Sequence, residues 1–232
     1  MQKIYIIGVD EAGLGPVIGP LVVSGICVAT DNLTRLEKIG VKDSKLFGSS
    51  RSSRERRREI WGKTKNLLEG FVYRIISAKK ISKFNMYDLE IFEIAQILTK
   101  LRYQQAERIY IAQLGYLRRQ NFLHRLKKVK EEFSSENFVE KLIYQKDADS
   151  KFIPVSAASI LSKVVRDREV LKICRMVGEE YVSGYPNKKT EEFLQRYWEK
   201  HKEFPHWLRR KNRWPVLCRW INNQEKKNGS SP

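Results

Sequence analysis

An apolar run, Ile4-Tyr5-Ile6-Ile7-Gly8-Val9, ends in two adjacent carboxylates, Asp10 and Glu11, and then in a glycine-rich turn, Ala12-Gly13-Leu14-Gly15-Pro16. A second apolar run follows Pro20, beginning Leu21-Val22-Val23. Two strands paired through this turn are therefore predicted over residues 3–30. Neighbouring carboxylates repel each other, and a buried strand gains nothing by ending in them. A hard divalent cation such as magnesium makes the pair favourable, because it prefers carboxylate oxygens. The plain alternative is a solvated acidic loop after a strand.

The 232 residues suit one domain, or one domain with an appendage, and their 41% hydrophobic content is enough for a core. Lys and Arg number 45 against 27 Asp and Glu, a net charge of +18. That excess favours a polyanionic partner, by counterion release and steering. The charge is clustered in three blocks: Arg51, Arg54, Arg56, Arg57 and Arg58; Arg118 to Lys130; and Arg209, Arg210, Lys211 and Arg213. Each block also suits a solvated helix face. Cys27, Cys174 and Cys218 lie far apart, which excludes a disulfide framework and indicates a reducing, cytoplasmic compartment. Three scattered histidines argue against a zinc site. No apolar stretch is long enough to span a membrane, and no signal peptide is expected. A monomer is the default expectation.

The pattern further predicts a short helix over 34–39, a loop at Lys42–Leu46, and a helix from Arg54 capped by Ser53. A strand is expected over 71–78. A helix follows over 88–105, with Leu89, Phe92, Ile97 and Leu101 as its apolar stripe. Strands over 108–112 and 142–144 flank a basic helix over 118–129. The clearest helix spans 156–170, with Ala157, Ile160, Leu161, Val164 and Val165 on its apolar face. The tail from Thr190 is helical and tryptophan-rich, and residues 224–232 are expected to be disordered. Strands first and alternation later define an α/β domain with a mixed sheet.

Several ordered segments together resemble the ribonuclease HII family, especially its archaeal-type members. They are Gly8-Val9-Asp10-Glu11-Ala12-Gly13-Leu14-Gly15-Pro16, Lys42-Asp43-Ser44-Lys45-Leu46, Asn85-Met86-Tyr87-Asp88-Leu89-Glu90, the stretch from Ala148-Asp149-Ser150-Lys151 to Arg166-Asp167-Arg168, and Ser183-Gly184-Tyr185-Pro186. The resemblance implies a ribonuclease H-like fold with a mixed central sheet over 1–182, a C-terminal helical extension over 183–222 and a tail over 223–232. It implies hydrolysis of RNA in RNA/DNA hybrids, or at single ribonucleotides in duplex DNA, with Mg2+ or Mn2+ as cofactor. Asp10, Glu11 and Asp149 match three of the four metal-binding catalytic carboxylates. Gly13, Gly15, Lys45 and Tyr185 match substrate-binding positions, Tyr185 sensing the 2′-hydroxyl that separates RNA from DNA.

Two departures stand out. Leu14 replaces an arginine between the turn glycines. The third carboxylate position falls on Ala112 or Gln113, at the end of the strand over 108–112. Asp147 is a candidate substitute: in an extended segment it shares a face with Asp149. The chain is thus read as a ribonuclease with a modified metal site. The alternatives are an inactive paralogue that binds RNA/DNA hybrid or RNA, and a basic scaffold that binds a protein through its tryptophans.

Overall fold

The computed structural model describes residues 3–41, 48, 50–210 and 214–227, the last three by backbone only. Five strands form one mixed sheet: β1 (Tyr5–Ala12), β2 (Leu21–Ala29), β3 (Gly70–Ile76), β4 (Arg108–Ala112) and β5 (Leu142–Gln145), in the order β3-β2-β1-β4-β5. β1, β2 and β3 pair antiparallel, while β4 and β5 run parallel to β1. The glycine turn joins the central strand β1 to its neighbour β2, as the alternation of apolar runs and turn residues predicts.

Ten α-helices flank or extend this sheet among the described residues: α1 (Leu33–Ile39), α2 (Arg51–Thr64), α3 (Ala78–Lys83), α4 (Met86–Lys100), α5 (Arg119–Val129), α6 (Glu136–Lys141), α7 (Ala148–Lys151), α8 (Ile153–Met176), α9 (Lys188–His201) and α10 (Pro215–Lys227). Strand alternation sends odd and even residues of β1 to opposite faces. Ile7 and Val9 join Ile91, Ile94 and Leu98 of α4 and Phe122 of α5 in one core. On the other face, Val22, Ile26 and Val28 of β2 pack on Ala157, Ala158, Leu161 and Val165 of α8. The approach of α8 is close: a Cβ on Gly8 would lie 2.2 Å from the Pro154 carbonyl carbon and 2.6 Å from the Val155 nitrogen. Only glycine fits there.

Local chemistry moves several expected boundaries. Ser50, not Ser53, caps α2, its Oγ accepting from the Ser53 N–H at 3.1 Å, so the helix begins three residues before the predicted start. β3 stops at Ile76 because Ser77 caps α3. Asn85 caps α4 by accepting from the amides of Tyr87 and Asp88. The buried face of α4 holds Glu90, Ile91, Glu93, Ile94, Ile97 and Leu98, while Phe92, assigned to the apolar stripe, is exposed. α8 starts earlier than predicted because Pro154 sits in its first turn, where a missing N–H costs nothing.

The C-terminal segment forms its own aromatic core on α8. Phe193, Trp198 and Trp207 are buried, with Trp198 against Phe204 and Trp220 and Trp207 against Phe193 and Tyr197. Trp198, Trp207 and Trp220 thus pack the extension, the role that competes with protein docking for the tryptophan-rich tail. Two predicted basic-block residues, Arg54 and Arg57, are buried as well. Arg54 lies 3.7 Å over the Tyr181 ring, and Arg57 donates to Asp167 at 2.7 Å. α10 continues through Lys227, past the expected start of the tail at 223; residues 228–232 lie outside the described residues. No helix among the described residues is long and apolar enough to cross a membrane.

Candidate active site

Asp10 and Glu11 close the central strand, opposite Ser24 and Val23 of β2. Alternation starts their side chains toward opposite layers, yet the two carboxyl groups come within hydrogen-bonding reach of each other. Asp10 is buried against α8, where its carboxylate accepts from Ser159 and lies near the Lys163 ammonium. Lys163 in turn donates to Ser159 Oγ at 2.9 Å. Burial pushes Asp10 up to about 6, with repulsion from Asp149 adding to it and Lys163 and Ser159 opposing it. Glu11 faces the α4 layer. Burial, Asp10 and Glu90 all push its carboxyl up, and its Oε2 is buried without a hydrogen-bond partner.

Asp149 is brought beside Asp10 by the short helix α7, after β5, and is buried. Its carbonyl accepts a hydrogen bond from Ser156 Oγ of α8, which locks α7 onto the longer helix. Asp147 does not join it. The segment is not extended: Asp147 occupies the left-handed region at φ 53° and starts the helical turn, leaving its side chain exposed while Asp149 turns inward. The extended segment on which a role for Asp147 was argued is thereby corrected to a left-handed residue opening a helical turn. Of the two candidates for the third carboxylate position, Ala112 ends β4 in apolar contact with Ala148 and Val155. Gln113 is half-buried, and its backbone N–H donates to the Gln145 carbonyl at 2.9 Å.

A cleft of about 420 Å³ opens beside Glu11, lined by Gly13, Leu14, Gly15, Lys163, Arg166 and Tyr185 among others. Gly13 needs its glycine: φ is +104°, and an added Cβ would meet Arg166 Nε at 2.6 Å. Tyr185 is half exposed at the cleft mouth, with the Arg166 guanidinium 5.6 Å from its ring centre and Gly15 beneath it. Arg166 anchors this corner by donating to the carbonyls of Ile18 and Ser183. Lys45 lies outside the described residues.

Sequence reasoning assigned no site role to Lys163, Arg166, Glu90 or Arg209. Lys163 and Arg166 carried a signal, as polar residues lying off the apolar face of α8. Glu90 carried one too, an acid within the buried stripe of α4. Arg209 stood out only as a member of the third basic block. It is buried, reaching from the C-terminal segment to donate to the carbonyls of Gly19 at 2.9 Å and Leu14 at 3.4 Å. Burial and the nearby Arg166 bring its guanidinium down to about 9, against the pull of Tyr185 and Glu90.

These carboxylates offer hard oxygen donors of the kind a divalent cation takes. Burial and mutual repulsion push Asp10 and Glu11 up, and Glu11 keeps a buried oxygen unpaired, as expected of an acidic site short of positive charge. The donor set fits such an ion, although among the described residues no three Asp, Glu, His or Cys side chains already stand together as a metal-binding group.

A mixed five-stranded sheet, with carboxylates at the end of its central strand and a cleft lined by Lys163, Arg166 and Tyr185 beside them, is the architecture of a ribonuclease H-like nuclease. The ribonuclease HII family model matches residues 7–213, and the chain belongs to that family. It is 33% identical over 233 residues to ribonuclease HII of Thermococcus sibiricus, covering 97% of this chain and 94% of the relative. The fold is similar to the crystal structure of ribonuclease H2 from Pyrococcus horikoshii, with TM-score 0.79, 32% identity and coverage of 96% and 100% of the two chains. It is also similar to RNase HII of Archaeoglobus fulgidus, solved as a complex with PCNA, with TM-score 0.71, 26% identity and coverage of 90% and 95%. The function that goes with this membership is that of a ribonuclease HII-like nuclease.

Proposed function

We propose that the protein is a divalent-metal-dependent endonuclease that hydrolyses phosphodiesters of RNA in RNA/DNA hybrids or at single ribonucleotides within duplex DNA. The observation that carries this reading is that Asp149 lies within electrostatic reach of Asp10, and that Glu11, next to Asp10, lines a cleft shared with Lys163, Arg166 and Tyr185. Asp10, Glu11 and Asp149 would hold Mg2+ or Mn2+. Such ions, when bound, activate the attacking water and neutralise charge on the leaving oxygen.

The protein's own residues supply the rest. Lys163 and Arg166 draw a phosphate to the mouth of the acidic cluster. Gly13 and Gly15 let the substrate backbone come close, and Leu14 between them contributes no charge. Tyr185, half exposed over Gly15, is placed to press on the sugar of the nucleotide that enters. Ser159 holds Asp10 in orientation.

The apolar contact at Ala112 favours a second reading, in which the protein recognises hybrid duplex without cutting it. One experiment separates the two: nicking of a labelled RNA/DNA hybrid and of a DNA duplex carrying one ribonucleotide, across magnesium and manganese concentrations, beside an Asp10→Asn control. Cleavage that disappears in the control establishes the enzyme. Hybrid binding with no cleavage at any metal concentration establishes the second reading.

A further inference from the structure

The glycine turn separates two hollows. On one side lies the cleft beside Glu11. On the other, a second hollow of about 660 Å³ is walled by Phe84, Tyr116 and Trp214, and Leu14 and Gly15 line both. Among the described residues, no acid lines the second hollow, and its one charged residue is Arg209. Two of its aromatic rings are held out in water. Phe84, between α3 and α4, is 62% exposed, and Tyr116, in the loop after β4, is 95% exposed. A single exposed ring is ordinary, but two around one concavity mark a binding surface.

Leu14 belongs to the same surface. A Cβ added at Gly115, next to Tyr116, would lie 3.5 Å from Leu14 Cδ2, so the leucine leans into this hollow and keeps its wall apolar. Phe84, Tyr116 and Trp214 lie outside the segments that resemble the family, and Leu14 departs from its pattern.

A paired base shows a protein only its edges, because both its faces are stacked within the duplex. An unpaired base offers a flat face, and aromatic side chains take that face whatever the sequence. The hollow continues the cleft across two shared residues, and the net charge of +18 draws a polyanion. Resting on the reading of the cleft as the site of phosphodiester hydrolysis, we infer that the hollow holds an unpaired nucleobase of the same nucleic acid, stacked on Tyr116 or Phe84 where the strand leaves the glycine turn. The preferred substrate is then a ribonucleotide close to the point where a duplex opens into a single-stranded tail.

The test is binding of fluorescein-labelled DNA duplexes to the full chain carrying Asp10→Asn, in magnesium, so that they are held uncut. Each duplex has one ribonucleotide a few base pairs from an end that is blunt, or carries a 5′ tail, or carries a 3′ tail. Fluorescence anisotropy gives the affinity, and 2-aminopurine in the tail reports stacking as quenching. One of the tails should tighten binding at least about fivefold, with its 2-aminopurine quenched. The double variant Phe84→Ala/Tyr116→Ala should bring that duplex to within about twofold of the blunt one and relieve the quenching. Both rings are largely exposed, so their removal spares the fold. Phe92→Ala, an exposed ring on the outer side of α4, should keep both the preference and the quenching. Equal binding of blunt and tailed duplexes overturns the inference and leaves the ribonuclease reading in place, as does a tail preference that survives the double variant. If neither this chain nor the unsubstituted chain in EDTA binds any of the duplexes, both readings fall. Sedimentation addresses the other occupant: a dimer of the unsubstituted chain that Tyr116→Ala dissociates shows that a second copy, not a base, fills the hollow, and overturns the inference.

Discussion

Gly8→Ala tests whether the contact between β1 and α8 is as tight as its geometry says. The new Cβ would lie 2.2, 2.3 and 2.6 Å from the Pro154 carbonyl carbon, its oxygen and the Val155 nitrogen. All three are backbone atoms, so no side chain can swing aside. Non-bonded carbon atoms rest at about 3.5–4.0 Å, so the start of α8 must withdraw by roughly 1 Å. Overpacking of this kind costs about 1–3 kcal/mol, and a backbone-to-backbone clash belongs at the upper end. At roughly 2–4 °C per kcal/mol for a chain of this size, melting should fall by about 6–12 °C. Gly62→Ala is the matched control. Nothing lies within 4 Å of its added Cβ, and replacing a helical glycine should stabilise α2 by about 1 kcal/mol. The assay is thermal denaturation followed by circular dichroism. A Gly8→Ala protein that melts within about 2 °C of the parent would falsify the packing argument. The folded fraction should also lose nicking activity, because α8 carries Ser159 and Lys163 to Asp10.

Two further predictions address the charges around the cleft. Arg57 and Asp167 form a buried pair at 2.7 Å, and Tyr181 also donates to Asp167. Arg57→Ala should therefore cost about 3–5 kcal/mol, and the double variant with Asp167→Asn less than the sum of the singles; additive losses in a urea-denaturation cycle would show that the pair is uncoupled. Lys163→Met should lower melting, because buried Asp10 and Ser159 lose a partner, and should slow single-turnover nicking by the folded protein about a hundredfold, since it removes a fixed cation beside the reacting phosphate. Unchanged nicking would move Lys163 out of the site.

Much of the sheet was readable because its strands obey local rules. The run ending at Asp10 and Glu11, and the short strand ending at Ala112, both appear where periodicity and turn residues place them. α4 misled by phase: with Glu90 and Glu93 buried on its inner face, hydrophobicity alone selected a stripe through Phe92, which faces solvent. Asp147 and Asp149 were misjudged for a conformational reason. Spacing of two means one face in a strand, but a left-handed residue followed by a helical turn separates them. The basic blocks show the limit of composition. Arg54, Arg57 and Arg209 count toward the net charge, yet they serve as internal braces. Arg209 could not be placed from sequence at all, because its partners Gly19 and Leu14 stand 190 and 195 positions away and are joined to it only by the fold.

That brace has a temporal side. The glycine turn is made within the first twenty residues, and β1 and β2 can pair around it as soon as both emerge. Its far wall arrives much later, when Arg209 donates its N–H to Val17, Trp207 accepts from Gly19, and the Arg209 side chain reaches the Gly19 carbonyl. At about 5–20 residues per second, a ribosome reaches Arg209 roughly 10–40 seconds after Gly19. The first loop translated is therefore among the last to be finished. A chain arrested before this segment can assemble its sheet and bring its acids together while the lip of its cleft still lacks its support.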